Sequence, residues 1–137
     1  MSTRRRAREV VLQMLYQLEA SGQEPARVLE AYRSSFGEGP FPDEFARDLF
    51  SGIAEKVPEL DAIIVSASDN WRLARMSRVD RNILRLGVFE LLHRPDTPPR
   101  VAINEAVELA KRFGTEDSAA FVNGVLDRIA RDLKRIT

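Results

Sequence analysis

The sequence predicts an all-α fold of about seven helices, and three observations carry that prediction. Apolar residues recur at helical spacing through most of the chain. No convincing strand appears; V-S-A-S-D-N, residues 65–70, is too polar and too short. One segment, Asp80 to Arg94, carries Ile83, Leu84, Leu86, Val88, Phe89, Leu91 and Leu92, which lie almost all the way round. A helix that apolar is expected to be buried, with the others packed around it.

Taken in order, residues 3–20 form a first helix, with Val11, Met14, Leu15 and Leu18 at i, i+3, i+4, i+7 spacing and Gly22 as the stop. Residues 25–36 form a second, with Val28, Leu29, Tyr32 and Phe36 on one side. The run G-E-G-P-F-P, residues 37–42, is a loop. Residues 43–55 form a third helix with Phe45, Leu49, Phe50 and Ile53 inward. Pro58 sits in the first turn of a fourth, which carries Leu60, Ile63, Ile64 and Ala67 and ends near Trp71. Ser77-x-x-Asp80 is a capping-box-like start for the central helix. The next opens after Pro98-Pro99 and closes at Gly114 as its C′ residue. Thr115 is the expected N-cap of the last, whose stripe is Val122, Val125, Leu126, Ile129 and Leu133.

The chain has 137 residues, which predicts a single domain, 1–137, burying about two-thirds of its unfolded surface. There is no cysteine, which excludes disulfides and thiolate metal sites, and the single histidine, His93, speaks against a histidine metal site or triad. No apolar run approaches the ~20 residues of a membrane span. The early V-V-L-Q-M-L-Y is broken by Gln13 and makes a poor secretory signal, and Glu9 argues against a mitochondrial presequence. A cytoplasmic protein without membrane partner is expected.

Charge is balanced, 21 bases against 21 acids, but unevenly placed. Arg4, Arg5, Arg6 and Arg8 face only Glu9 ahead of Glu19; the stretch from Glu19 to Asp61 is acidic, and that from Trp71 to Arg100 is arginine-rich. The arginine cluster has two readings, a solvated arm or an RNA-binding surface. Guanidinium groups bind phosphate bidentately and stack on bases, and a helix N-terminus favours anions.

No catalytic constellation is present, and no cofactor is implied. Gly37-x-Gly39 is an isolated loop pair. Glu105 and Glu108 sit one turn apart, but Glu108–Arg112, Asp127–Arg131 and Glu90–Arg94 read as ordinary i, i+4 helix pairs. Asn123-Gly124 inside a helical pattern costs about 1 kcal/mol relative to Ala, and close helix crossing at Gly87, Ala106 and Gly124 is the favoured explanation. Phe113 and Phe121 flank the 114–118 turn. Phe121 lies about 100° off the last helix's stripe, which makes it a candidate base-stacking platform.

The run V-A-I-N-E-A-V-E-L-A-K-R-F-G-T-E-D-S-A-A-F-V-N-G-V-L-D, residues 101–127, closely resembles the NusB transcription antitermination family. R-R-R-A-R-E-V-V-L-Q-M-L-Y near the start and V-D-R-N-I-L-R-L-G-V-F-E-L in the centre resemble the same family's other two blocks, in its order. The resemblance implies a helical bundle that binds boxA RNA together with NusE, a small-subunit ribosomal protein, in transcribing complexes with other Nus factors. It implies RNA contact by Arg4, Arg5, Arg6, Arg8, Gln13, Asp117 and Phe121, and NusE contact around Tyr16, Asp80 and Glu90. Residues 23–77 match only in helical pattern and receive no site. Two alternatives stand beside it: the NusB-like domain of an RNA cytosine methyltransferase, and a helical homodimer whose RNA face is masked.

Overall fold

The computed structural model describes residues 3–35, 43–69 and 73–135. Among them are seven α-helices, one 3-10 turn and no strand, so the all-α expectation holds. The helices are α1 (Thr3–Ser21), α2 (Pro25–Ser35), α3 (Glu44–Glu55), α4 (Val57–Ala67), α5 (Arg78–His93), α6 (Pro99–Phe113) and α7 (Ser118–Asp132), with the 3-10 turn at Leu73–Arg75. The expected loop at 37–42, Phe36 and the expected helix end at Trp71 lie outside the described residues. The chain separates into two compact units, Met1–Glu55 and Lys56–Thr137.

In the first unit α1 packs on α3 and α2. The buried residues of α1 include Ala7, Val10, Val11, Met14 and Leu15, an i, i+3, i+4, i+7, i+8 face, while Leu18 is only half-buried. On α3 the buried set is Ala46, Leu49, Phe50 and Ile53; on α2 it is Val28 alone. The α1 helix stops at Gly22, whose φ is +67° and whose N–H bonds to the Leu18 carbonyl at 3.0 Å. That left-handed conformation costs a glycine nothing in sterics. The third helix begins one residue later than expected because Asp43 caps it, Oδ1 accepting from the Ala46 N–H at 2.8 Å.

In the second unit α5 packs against α4, α6 and α7, and α6 packs on α7. Residues 82–91 of α5 are all buried, the enclosure its apolar girdle predicts. Ser77 is its N-cap, Oγ accepting from the Asp80 N–H at 3.0 Å. At the other end Arg135 donates to the carbonyls of Leu91 and Thr97, the second at 3.2 Å. The close-crossing reading is right for Gly87, where an added Cβ meets Leu126 Cδ1 at 2.6 Å, and Ala106 is fully buried. It is wrong for Gly124, which is exposed and where an added Cβ meets nothing within 4 Å. Gly124 and Asn123 both face outward, so helix packing does not account for them.

Both ends of the turn between α6 and α7 depart from expectation. Gly114 is not left-handed (φ −93°, ψ −165°); glycine is needed because a Cβ there meets the Ser118 side chain. Thr115 is not the N-cap. The buried Ser118 hydroxyl accepts from the Thr115 N–H at 2.9 Å, closing a separate turn, and α7 starts at Ser118 behind Asp117. The stripe on α7 ends at Ile129 and Ala130, with Leu133 exposed.

The apolar girdle of α5 hides two charged side chains, Arg85 and Glu90. Arg85 is buried and makes a two-pronged pair with Asp61 of α4, Nε to Oδ1 at 2.7 Å and Nη2 to Oδ2 at 2.9 Å. Its Nη1 donates to Asn82 Oδ1 at 3.0 Å. A buried guanidinium is tolerable only with its donors satisfied, and a carboxylate fork meets that need.

Two stability outcomes are expected from urea unfolding. Gly87→Ala destabilises by about 1–3 kcal/mol through overpacking against Leu126, whereas Gly124→Ala stabilises by up to about 1 kcal/mol. Asp61→Ala strands the Arg85 charge and costs about 3 kcal/mol, clearly more than Arg85→Met, which leaves only the better-hydrated Asp61 behind.

Candidate nucleic-acid interface

The first turns of α1 present Arg4, Arg5 and Arg6 as exposed side chains, with no acidic residue in that first turn. The positive end of the helix dipole lies in the same place, so charge and dipole add for an anion. Arg8 departs from expectation: it is only 3% exposed. Its Cζ lies 5.3 Å from the centroid of the Phe45 ring of α3, and that of Arg4 lies 4.4 Å from the same ring. Two like charges at i, i+4 destabilise a helix by about 0.2–0.5 kcal/mol. The negative face of an aromatic ring offsets such a repulsion. Arg8 therefore belongs to the packing around Phe45 rather than to a phosphate-facing surface. Gln13 is exposed two turns along from Arg6, at i+7 and so on the same face, and Tyr16 is 48% exposed one turn further.

The second unit holds a cleft of about 290 Å³ lined by Arg75, Met76, Ser77, Asp80, Asp117 and Phe121. It brings together residues that the sequence assigned to different jobs: Asp117 and Phe121 to RNA, Asp80 to NusE. Phe121 is half-buried, presenting part of its surface, as a stacking platform would. Asp117 occupies the N-cap position of α7 without a side-chain capping bond, so its carboxylate is not consumed by the helix. Asp80 Oδ1 is buried and has no hydrogen-bond partner. Asp80 thus stands in the first turn of α5, where the dipole favours its charge, with an acceptor unused by the fold. Arg75 and Met76 were missed by the sequence reading. They sit in a 3-10 turn and its exit, where no periodicity marks them, and the arginine-rich run from Trp71 was the one signal available.

Glu90 does not stand at a surface. It is 0% exposed within α5, so its side chain is enclosed by the fold and offers nothing to a partner. Of the expected helix pairs, Asp127–Arg131 forms at 2.7 Å. Glu108 pairs instead with Lys111 at 3.4 Å, while Arg112 lies 5.3 Å from the Phe113 ring centroid. His93 stands 3.3 Å from Glu59. Among the described residues no group of three His, Cys, Asp or Glu side chains is placed to hold a metal, and no helix is long and apolar enough to cross a membrane.

The family model described as "NusB family" matches residues 5–131. The chain belongs to the NusB family. The transcription antitermination protein NusB of Myxococcus xanthus is 52% identical, with 98% of this chain and 99% of that protein covered. The solved structure of T. maritima NusB superposes with a TM-score of 0.83 at 40% identity, covering 96% of this chain and 92% of that one. A chain from a crystal structure of the antitermination factors NusB and NusE in complex with dsRNA gives a TM-score of 0.82 at 29% identity, covering 96% and 99%. The family match spans both units of the fold and takes in Arg5, Arg6 and the residues of the Phe121 cleft, while Arg4 lies one residue ahead of it.

Proposed function

We propose that this chain is a transcription antitermination factor that binds boxA-type single-stranded RNA together with NusE, within the transcribing RNA polymerase complex and alongside other Nus factors, supporting ribosomal RNA synthesis in the cytoplasm. The observation that carries the reading is the exposed Arg4–Arg5–Arg6 face at the N-terminal end of α1, in a chain of the NusB family. The two units together, residues 1–137, serve as one RNA-binding domain, each with its own contacts. The first supplies the arginines and Gln13. The second supplies Phe121 for base stacking and Asp117 to accept from a base edge, since a carboxylate near phosphates is otherwise repulsive.

NusE engages Tyr16 on the first unit and Asp80 on the second. Tyr16 is a large exposed aromatic, the kind of side chain that anchors interfaces. Asp80, a half-buried carboxylate lining the cleft, meets a basic residue of NusE. Because Asp80 shares its cleft with Asp117 and Phe121, RNA and the protein partner meet at adjacent edges of that cleft. Any coupling across that border is reciprocal: the factor by which RNA changes NusE affinity equals the factor by which NusE changes RNA affinity.

Salt titration of RNA affinity tests the surface. Arg5→Ala with Arg6→Ala weakens binding to every RNA and flattens the salt dependence by about 0.7 log unit per log unit of salt for each phosphate that is no longer neutralised. Phe121→Ala costs about 1–3 kcal/mol with little change in slope. Unchanged affinity in both, with helicity intact by circular dichroism, would remove this surface as the RNA site. For the partner, Asp80→Lys weakens NusE binding in titration calorimetry while the isolated protein stays helical; unaltered affinity would place NusE elsewhere.

A further inference from the structure

Phe45 is the one aromatic of α3 that the fold does not enclose. Leu49, one turn on, is fully buried, and so are Ala46, Phe50 and Ile53, yet Phe45 is only half-buried. Its ring instead carries two guanidinium groups of α1, Arg4 at 4.4 Å and Arg8 at 5.3 Å. The two differ in exposure: Arg8 is enclosed and Arg4 is at the surface. The ring is itself well placed to hold them. It stands in the first turn of α3, a turn secured by the Asp43 cap on the Ala46 N–H, and α3 is packed on α1.

We propose that Phe45 is a positioning residue of the RNA-binding surface, holding the Arg4 guanidinium ready for the phosphates of a single-stranded RNA. The inference rests on the RNA-binding reading above and adds to it a residue from a stretch where the family resemblance assigned no site. An arginine in the first turn of a helix is long and adopts many rotamers, and ordering it on binding costs entropy. A ring face removes much of that freedom in advance. Stacking engages the flat face of a guanidinium and leaves its N–H edges for bidentate contact with phosphate oxygens. The packing of α3 on α1 requires only an apolar side chain at position 45. The guanidinium contacts of Arg4 and Arg8 use the aromatic face of Phe45.

The test is fluorescence anisotropy with a labelled boxA-like RNA oligonucleotide, comparing wild type, Phe45→Leu, Phe45→Tyr, Arg4→Ala and the Arg4→Ala, Phe45→Leu double variant. Phe45→Leu is expected to weaken binding by about three- to tenfold, and Phe45→Tyr, which keeps the ring face, to restore it. Arg4→Ala is expected to weaken binding in the wild-type background and to add little once Phe45 is leucine, a coupling that a merely structural role would not produce. Wild-type affinity in a folded Phe45→Leu variant, or an Arg4→Ala loss of the same size in both backgrounds, would overturn the proposal. Should Phe45→Leu fail to fold, trifluorophenylalanine at position 45 keeps the ring's shape while removing its attraction for cations. Undiminished binding by that protein would overturn the proposal equally. A wild-type protein that binds no RNA would instead overturn the RNA-binding reading itself.

Discussion

A helix buried on every side leaves no place for an unpaired charge, and α5 carries Arg85 in its middle. The Asp61 fork and Asn82 resolve that conflict, and in doing so they set α4 against α5 at a fixed distance and register. Apolar contact alone is tolerant of sliding and repacking; a bidentate guanidinium–carboxylate pair is not. Gly87 adds a second strict requirement on another side, since only a residue without Cβ lets Leu126 of α7 approach so closely. These two points on one helix fix how α4 and α7 sit against it.

The same helix explains why the cleft is where it is. Burial begins at Asn82, and the turn before it is exposed or half-exposed. Ser77 and Asp80 in that turn, with the 3-10 turn ahead of them and the start of α7 beside them, form the cleft walls. Helix starts leave backbone N–H groups and capping side chains at the surface, so polar chemistry collects there while the middle of the helix remains apolar. Asp80 stands half-buried at that boundary, with Oδ1 enclosed and without a hydrogen bond. Rigidity behind and polarity in front is the arrangement a binding site needs.

In the first unit the organising contact is weaker and nearer the surface. The arginines of α1 concentrate positive charge on a single turn and a half of helix, which an isolated helix resists. Phe45 supplies a compensating negative face for two of them, and Arg8 is drawn into the packing as a result. The exposed charge is thereby reduced to Arg4, Arg5 and Arg6, a narrower surface than the run of letters implies.

The sequence by itself determined the helices, since their existence and most of their ends follow from local spacing, prolines and caps: the girdle of α5, Ser77 as its cap, the stop at Gly22 and the start at Pro98-Pro99 needed nothing beyond near neighbours. It also determined the family, because three blocks of specific residues fall in order along the chain. Tertiary structure decided everything that depends on residues distant in the chain. Thr115 loses the cap position to a turn closed by Ser118, and Gly114 is glycine for space and not for handedness. Gly124 needs no close neighbour while Gly87 does, though both are lone glycines in helical patterns. Arg8 and Glu90 carry charges that a sequence reader places at the surface, and both are enclosed. Asp80, Asp117 and Phe121 share a cleft with Arg75, which no helical periodicity marks. The reason is the same throughout: a helix is specified by contacts within four residues, whereas burial, close approach and a shared cleft are specified by which helices meet, and a single sequence states that only indirectly.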